Sequence, residues 1–479
     1  MPASFCLRCC CAKSSPHATG TSAGRPALRA TFSRGQKGHE AARMKMPMKF
    51  ISTRNQSPAV SLSQAITAGL APDGGLYVPE SMPPPRTLRA GGDIAATAAA
   101  LLAPFFAGDA LESQLPAICA EAFDFPAPLR PLATPGDHVL ELFHGPTAAF
   151  KDFGARFLAQ CLTRIRVADS PPLTILVATS GDTGAAVAAA FHRQPGLRVV
   201  VLYPDGRVSP RQAHQLGCFG DNVTALKVDG AFDDCQALVK QALGDTPLQQ
   251  RVPLSSANSI SLGRLLPQMS YYAHASLQHE EASGRALNFV IPTGNLGNAV
   301  AAIMARALGA PLGRIVLATN ANDVLPRYFA GDGYLPGPSV ATVANAMDVG
   351  APSNFERLLW LYAHDAGALR SAFDAVSVDD GQIRRIIGER YRAHGEVFCP
   401  HTATAVKVLD ELRRAGVAGD WAVAATAHPA KFESVVEPLV GAVALPASLA
   451  ALLQRPASAQ AMADDYPTFR EHLLGHDLD

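Results

Sequence analysis

A single lysine stands in a segment made mainly of glycine, proline and aromatic residues, at positions 144–154 (HGPTAAFKDFG). Lys151 lies next to Phe150 and close to Phe153, so its surroundings should be partly apolar. Loss of water disfavours the ammonium form and lowers the pKa of a lysine, which leaves a neutral amine able to attack a carbonyl. The alternative is a lysine near the end of a strand that packs its stem and keeps its charge in water.

A first glycine loop follows an apolar, β-branched run. Residues 173–179 (LTILVAT) predict a strand, residues 180–184 (SGDTG) a tight loop, and residues 185–191 (AAVAAAF) a helix. The first N–H groups of a helix lack partners and its dipole is positive there, so such a terminus favours anions. Taken alone, a glycine turn of this kind is most often only a turn.

A second loop has the same order of elements. Residues 286–291 (ALNFVI) predict a strand, residues 292–298 (PTGNLGN) a loop, and residues 299–304 (AVAAIM) the start of a helix. Two glycines allow the backbone to curl around a phosphate. Neither loop has the Walker or the Gly-x-Gly-x-x-Gly spacing. A desolvated lysine with two anion loops suits an aldehyde that carries a phosphate, and pyridoxal 5′-phosphate is the obvious candidate.

These segments, with several others, resemble the threonine synthase family, pyridoxal-phosphate enzymes of fold type II (tryptophan synthase β-like). The resemblance covers roughly residues 48 to 470, and it includes the segments 50–55 (FISTRN), 69–79 (GLAPDGGLYVP), 202–210 (LYPDGRVSP), 256–260 (SANSI), 345–349 (NAMDV) and 425–432 (ATAHPAKF). The last two segments favour this family over other type II enzymes.

The resemblance implies an α/β fold with two open, mostly parallel α/β domains and an N-terminal segment. Aliphatic runs at 198–203 and 314–319 alternate with alanine-rich stretches, which is typical of parallel sheets covered on both faces. We expect an N-terminal domain at 48–135, a domain with the lysine and the first loop at 136–250, and a domain with the second loop at 251–479.

The resemblance also assigns roles in the cofactor site. The Schiff-base lysine of the family falls on Lys151, and a hydroxyl that faces the pyridine nitrogen falls on Thr426. Without the family, Thr426 could equally be a β-branched residue of a strand at 421–426. The cofactor phosphate is expected at Gly294, Asn295, Leu296, Gly297 and Asn298.

Substrate contacts are expected on both sides of the lysine. The carboxylate or phosphate end should meet Ser180, Asp182 and Thr183, and the leaving phosphate should meet Asn258, Ser259 and Arg264. Thr147 is also expected to contact the substrate. A guanidinium suits bidentate binding of phosphate, although Arg264 could also be an exposed arginine on a helix. A carboxylate at Asp182 is unfavourable beside an anionic substrate unless its charge is offset, so the role of Asp182 stays open.

The implied reaction converts O-phospho-L-homoserine and water to L-threonine and phosphate, by γ-elimination and addition of water at the β-carbon, as the last step of threonine biosynthesis. Lys151 would act as general base. The alternatives are a related type II phospholyase or dehydratase that forms 2-oxobutanoate, and a protein that binds pyridoxal phosphate without catalysis.

The composition indicates neither a nucleic-acid partner nor a membrane protein, and it predicts no oligomeric state. The 479 residues include 41 basic and 41 acidic side chains, with no basic stripe. No apolar run reaches the roughly 20 residues of a membrane span. Five scattered cysteines suggest a reducing compartment. We expect a cytoplasmic protein.

Residues 1–47 differ from the rest, with eight basic side chains and one acid, Glu40. This composition is typical of a disordered leader or a transit peptide, and an upstream start codon chosen wrongly explains it at least as well. Four cysteines, Cys6, Cys9, Cys10 and Cys11, lie here without a matching His/Cys pair downstream. We therefore predict no metal site.

Overall fold

The computed structural model describes residues 47–167 and 170–475. The strands of this part are β1 (Phe50–Ser52), β2 (Tyr77–Pro79), β3 (Leu129–Pro131), β4 (Asp137–Glu141), β5 (Leu173–Ala178), β6 (Leu197–Pro204), β7 (Val223–Val228), β8 (Leu254–Ser256), β9 (Leu287–Pro292), β10 (Leu312–Thr319), β11 (Asp374–Ser377), β12 (Asp420–Ala425) and β13 (Gln460–Met462).

The α-helices of the same part are α1 (Leu62–Ala68), α2 (Ile94–Phe106), α3 (Leu115–Ala122), α4 (Lys151–Ile165), α5 (Asp182–Phe191), α6 (Pro210–Gly217), α7 (Phe232–Gly244), α8 (Thr246–Gln249), α9 (Leu262–Leu265), α10 (Met269–Ser283), α11 (Gly297–Ala307), α12 (Val324–Ala330), α13 (Phe355–Leu361), α14 (Ala366–Ala372), α15 (Asp380–His394), α16 (Pro400–Arg414), α17 (Glu433–Val440), α18 (Ala447–Leu453) and α19 (Tyr466–Gly475). Short 3₁₀ turns lie at Glu112–Gln114, Leu266–Gln268, Asn345–Met347 and Pro429–Phe432.

Two mostly parallel sheets form the centre of the fold. A six-stranded sheet has the order β11-β10-β9-β12-β4-β3, in which only β3 is antiparallel to its neighbour, and a parallel five-stranded sheet has the order β13-β7-β6-β5-β8. β1 and β2 form an antiparallel ribbon. The predicted class, an α/β fold with two open and mostly parallel sheets, is confirmed.

Helices cover both faces of each sheet because alternate residues of the central strands point to opposite sides. On β9, Phe289 belongs to the core under α10 and α11, whereas Val290 packs with residues of α15 and α16. On β5, Ile175 and Leu176 are divided in the same way between α5 and α7. Strands buried on both faces explain the continuous apolar runs in the sequence.

Each sheet takes strands from distant parts of the chain. β4 lies in the six-stranded sheet, although the next strand, β5, lies in the five-stranded one. β13, near the end of the chain, returns to the five-stranded sheet. The domain boundaries at 48–135, 136–250 and 251–479 stay predictions, and residues 1–46 of the leader lie outside the described residues.

The helices begin earlier than the sequence predicts. α5 starts at Asp182 and α11 at Gly297, so part of each glycine loop forms the first helical turn. Lys151 is the first residue of α4, and it therefore does not lie at the end of a strand. Within residues 47–167 and 170–475, no helix is both long and apolar enough to cross a membrane.

Candidate active site

Two neighbouring cavities meet at Lys151. The inner cavity is lined by these predicted site residues: Lys151, Asp182, Ser259, Arg264, Gly294, Asn295, Leu296, Gly297, Asn298 and Thr426. The outer cavity is larger, and the predicted site residues that line it are Lys151, Ser180, Thr183, Asn258, Ser259 and Asn295. The fold thus brings together residues from both glycine loops and from the segments around 151, 258 and 426.

Lys151 has the environment of a reactive amine. Its side chain is half-buried, it opens on both cavities, and its Nζ lies 4.5 Å from the centre of the Phe150 ring. Burial and, to a smaller extent, the positive charge of Arg264 lower the pKa of Lys151 to about 7, although Asp182 opposes the shift. A large fraction of this amine is therefore neutral near pH 7, as the sequence reasoning expected.

The second glycine loop is held close to a neighbouring turn. A Cβ atom on Gly294 would lie 2.7 Å from the Cα of Met347, so only glycine fits without a shift of the backbone. Leu296 adopts a left-handed φ of 63°, and α11 begins at the next residue. The loop thereby directs the N-terminus of a buried helix toward the inner cavity, an arrangement that favours a phosphate.

Side-chain amides fix the shape of this loop. Asn298 accepts a hydrogen bond from Thr293 Oγ1 at 2.8 Å and donates from Nδ2 to the carbonyl of Pro292 at 2.9 Å. An aspartate could not make the second bond, so Asn298 suits this backbone. Asn295 donates to Ser259 Oγ, which ties the loop to the segment before α9.

Arg264 is fully buried, so it is not an exposed arginine on a helix. Its Nη1 donates to the carbonyl of Ala257 at 2.6 Å, whereas Nε and Nη2 have no hydrogen-bond partner among the described residues. Burial lowers the pKa of this guanidinium to about 10, which still leaves it charged at neutral pH. Two unsatisfied donors on a buried cation that lines the inner cavity call for an anion there.

The charge of Asp182 is offset by Lys431, a residue that the sequence reasoning did not select. Lys431 is fully buried, and its Nζ lies 2.8 Å from Asp182 Oδ1. Gln212 donates to the same oxygen at 3.0 Å. Burial alone raises the pKa of Asp182, but Lys431, His401 and Gln212 outweigh it, and the net pKa is lowered. Asp182 is therefore a paired carboxylate, which removes the conflict with an anionic substrate.

Thr147 lines neither cavity. Its hydroxyl donates to Asp152 at 2.7 Å, and its carbonyl accepts a hydrogen bond from Lys431 Nζ at 2.7 Å. Thr147 thus helps to fix Lys431, the partner of Asp182. Contact between Thr147 and the substrate stays a prediction. Thr426 follows β12 and lines the inner cavity, while its carbonyl accepts the N–H of Phe150 at 2.8 Å.

Several further lining residues were not predicted, among them three polar or charged side chains. Gln268 and His401 line the inner cavity, and Lys240 on α7 lines the outer one. No local signal marks them, because a glutamine, a histidine and a lysine within helices are ordinary residues. Lys431 could have been found, since it lies in the segment 425–432 that carries the resemblance.

The residues of the inner cavity fit pyridoxal 5′-phosphate. A glycine loop at a helix N-terminus suits the cofactor phosphate, while the desolvated amine of Lys151 suits an aldehyde. Thr426 presents a neutral hydroxyl in the same cavity.

Comparison with protein families gives matches over nearly the whole described chain. Residues 129–429 match the family described as pyridoxal-phosphate dependent enzyme. Residues 49–123 match the threonine synthase N terminus, and residues 402–473 match the threonine synthase C-terminal family.

Curated relatives and solved structures agree with these matches. Threonine synthase from Escherichia coli strain K12 is 38% identical over 436 residues, which cover 90% of this chain and 100% of that protein. The crystal structure of threonine synthase from Escherichia coli superposes with a TM-score of 0.83 at 38% identity, covering 90% of this chain and 100% of that one. The pyridoxal-phosphate-bound threonine synthase from Brucella melitensis has a TM-score of 0.81 at 34% identity, with the same coverage.

Proposed function

The chain belongs to the threonine synthase family, and on this premise we propose that its substrate is O-phospho-L-homoserine, which it converts with water to L-threonine and phosphate. In this reaction the C–O bond to phosphate at the γ-carbon breaks and the γ-carbon gains a proton to become a methyl group, while the β-carbon loses one proton and gains the hydroxyl of water. The activity is that of a pyridoxal-phosphate-dependent lyase of amino-acid biosynthesis.

The cofactor of the family is pyridoxal 5′-phosphate. When bound, it supplies an aldehyde that condenses with amines and a ring that takes up negative charge from substrate carbons. The loop of residues 294–298 would hold its phosphate, and Lys151 and Thr426 would lie at its reactive end and its ring nitrogen.

Lys151 would move the protons of the reaction. Its Nζ lies between the inner cavity, proposed for the cofactor, and the outer cavity, proposed for the substrate side chain. An amine with a pKa of about 7 both accepts and releases protons at neutral pH. One amine at this junction can reach successive carbons of a short substrate, so we assign the α- and β-proton transfers to Lys151.

The polar groups around the outer cavity would bind the two anionic ends of the substrate. Ser180 and Thr183 lie at the N-terminus of α5, which favours a carboxylate or phosphate. Asn258 and Ser259, which lie between β8 and α9, line the same cavity. We propose that Arg264 binds the leaving phosphate with its two unsatisfied donors where the inner cavity adjoins the outer one, because Lys151 and Ser259 line both cavities at that point.

The observation that carries this proposal is the position of one desolvated lysine between a glycine-loop cavity with an unsatisfied buried guanidinium and a second polar cavity. A protein that only bound the cofactor would not need the second cavity to open on the same amine.

Product analysis tests the proposal. Purified protein is incubated with pyridoxal phosphate and O-phospho-L-homoserine, and threonine and phosphate are measured together, with Lys151→Ala beside the wild type. We expect equal amounts of threonine and phosphate from the wild type and neither from the variant. Phosphate with 2-oxobutanoate would indicate a phospholyase instead, and no product would exclude this substrate.

We also infer a cytoplasmic location. The five cysteines of the described residues are all free and buried, with none paired in a disulfide. Free thiols are typical of reducing compartments. Fractionation of cells that express the full chain would test this.

A further inference from the structure

A short 3₁₀ turn, Asn345–Met347, contacts both glycine loops. Asn345 Nδ2 donates to the carbonyl of Ser180 at 3.3 Å, at the loop that follows β5. Met347 lies against Gly294 of the loop that follows β9, where a Cβ atom would be 2.7 Å from its Cα. Ala346 lines both cavities. The turn therefore links the loops of the two sheets at the point where the cavities meet.

His401 attaches this turn to α16. The N–H of Ala346 donates to His401 Nε2 at 3.0 Å. His401 is the second residue of α16, is almost fully buried, and lines the inner cavity. An imidazole nitrogen accepts a hydrogen bond only when it is unprotonated, so the ring must be neutral with its proton on Nδ1. That nitrogen lies 4.0 Å from Cys399 Sγ.

The surrounding groups keep the ring neutral. Burial lowers the pKa of His401 to about 4; Asp182 on α5 opposes this shift, and Lys151 on α4 and Lys431 of the 3₁₀ turn Pro429–Phe432 add to it. The unprotonated Nε2 that accepts the Ala346 N–H is therefore present at every pH well above 4.

We propose that His401 is a positioning residue. It holds the turn Asn345–Met347 through the N–H of Ala346, and the turn in turn fixes the position of both glycine loops relative to Lys151. This inference rests on the proposed function only in taking this site as the catalytic one. In this role Nε2 of the imidazole accepts the backbone N–H of Ala346 and is not available to accept a proton from substrate.

Two substitutions separate this role from simple filling of the core. His401→Gln can present an amide oxygen near the position of Nε2, whereas His401→Leu fills similar space and leaves the Ala346 N–H without an acceptor. In the full chain we would measure hydrogen exchange of the segment that contains Ala346, the affinity of the apo-protein for pyridoxal phosphate, and KM and kcat.

We expect His401→Leu to exchange at Ala346 about tenfold faster and to bind pyridoxal phosphate about tenfold more weakly, because a partly buried donor loses its partner. His401→Gln should stay within about threefold of the wild type in both measurements. Equal impairment of the two variants, or a folded His401→Leu with unchanged exchange and cofactor affinity, would overturn the inference.

A second variant covers the case in which His401→Leu does not fold. Asn345→Ala removes the hydrogen bond from the turn to the carbonyl of Ser180. It should raise KM more than it weakens cofactor binding, because the contact of Met347 with Gly294 remains. An unchanged KM in Asn345→Ala would count against the turn as the link. Exchange and cofactor affinity do not depend on the substrate, so they distinguish failure of this inference from failure of the proposed reaction.

Discussion

The reactivity of the site depends on one amine whose water has been largely replaced by protein. Burial and the charge of Arg264 bring the pKa of Lys151 to about 7, far below the ordinary lysine value of about 10.4. Since only the neutral amine attacks an aldehyde, its protonation state controls the binding of the cofactor.

We therefore predict the pH dependence of cofactor binding. The rate constant for association of pyridoxal phosphate with the apo-protein should be nearly constant above about pH 8 and fall about tenfold per unit below about pH 7, because the neutral fraction falls in that way. Stopped-flow absorbance would measure it. A rate that still rises between pH 8 and 10 would contradict a depressed pKa, and Lys151→Ala should show no covalent binding at any pH.

The buried pair of Asp182 and Lys431 gives a second prediction for single residues. Lys431→Met should lower the free energy of unfolding by about 3–5 kcal/mol, because it leaves a buried carboxylate without its partner. The double variant with Asp182→Asn should recover much of this loss. Urea unfolding of the apo-protein would measure both changes.

An exposed ion pair serves as the control for this measurement. Asp323, the residue before α12, and Arg327 on that helix lie 2.9 Å apart, and both side chains are nearly half exposed. Arg327→Met should therefore cost less than about 1 kcal/mol. If Lys431→Met costs no more than the control, Lys431 and Asp182 do not form a structural ion pair.

At the level of elements, the site is made where strands end and helices begin. β5 leads into α5 and β9 into α11, and both loops lie at the carboxyl ends of parallel strands. Helix N-termini and loops from two sheets meet in the crevice between them, which is the usual place for a ligand in open α/β sheets. Small residues at these junctions let the loops approach each other.

Gly294 and Gly297 provide a matched test of this packing. Gly294→Ala would place its Cβ 2.7 Å from the Cα of Met347, whereas the nearest atom to a Cβ on Gly297 is 3.6 Å away. We expect Gly294→Ala to cost about 1–3 kcal/mol in stability and to weaken cofactor binding, because the backbone must shift. Gly297→Ala should leave the melting temperature of the apo-protein almost unchanged. Equal melting temperatures for both variants would disprove the close contact.

At the level of the whole molecule, the family matches span residues 49–473. The N–H of Met48 donates to the carbonyl of Ala107 at 3.0 Å, so the chain is already joined to the core at this residue. We predict that a chain starting at Met48 has the melting temperature, kcat and KM of the full chain. Calorimetry and steady-state kinetics would check this, and a drop of several degrees would show that residues 1–47 contribute to the fold.

The sequence alone determined the local features of this protein. Apolar runs of six to eight residues predicted the central strands, because strands buried on both faces need side chains without charge. Glycine loops between strands and helices predicted anion sites, and the aromatic neighbours of Lys151 predicted its desolvation. These features depend on residues close together in the chain, so local composition reveals them.

Only the tertiary structure decided which distant residues share the site. It placed Lys431 against Asp182, 249 positions earlier in the chain, and it set His401 behind the turn Asn345–Met347. It also buried Arg264 with two free donors in the inner cavity. Burial and pairing set the charge and pKa of each group, and both arise from contacts between elements far apart in sequence, where no local pattern records them.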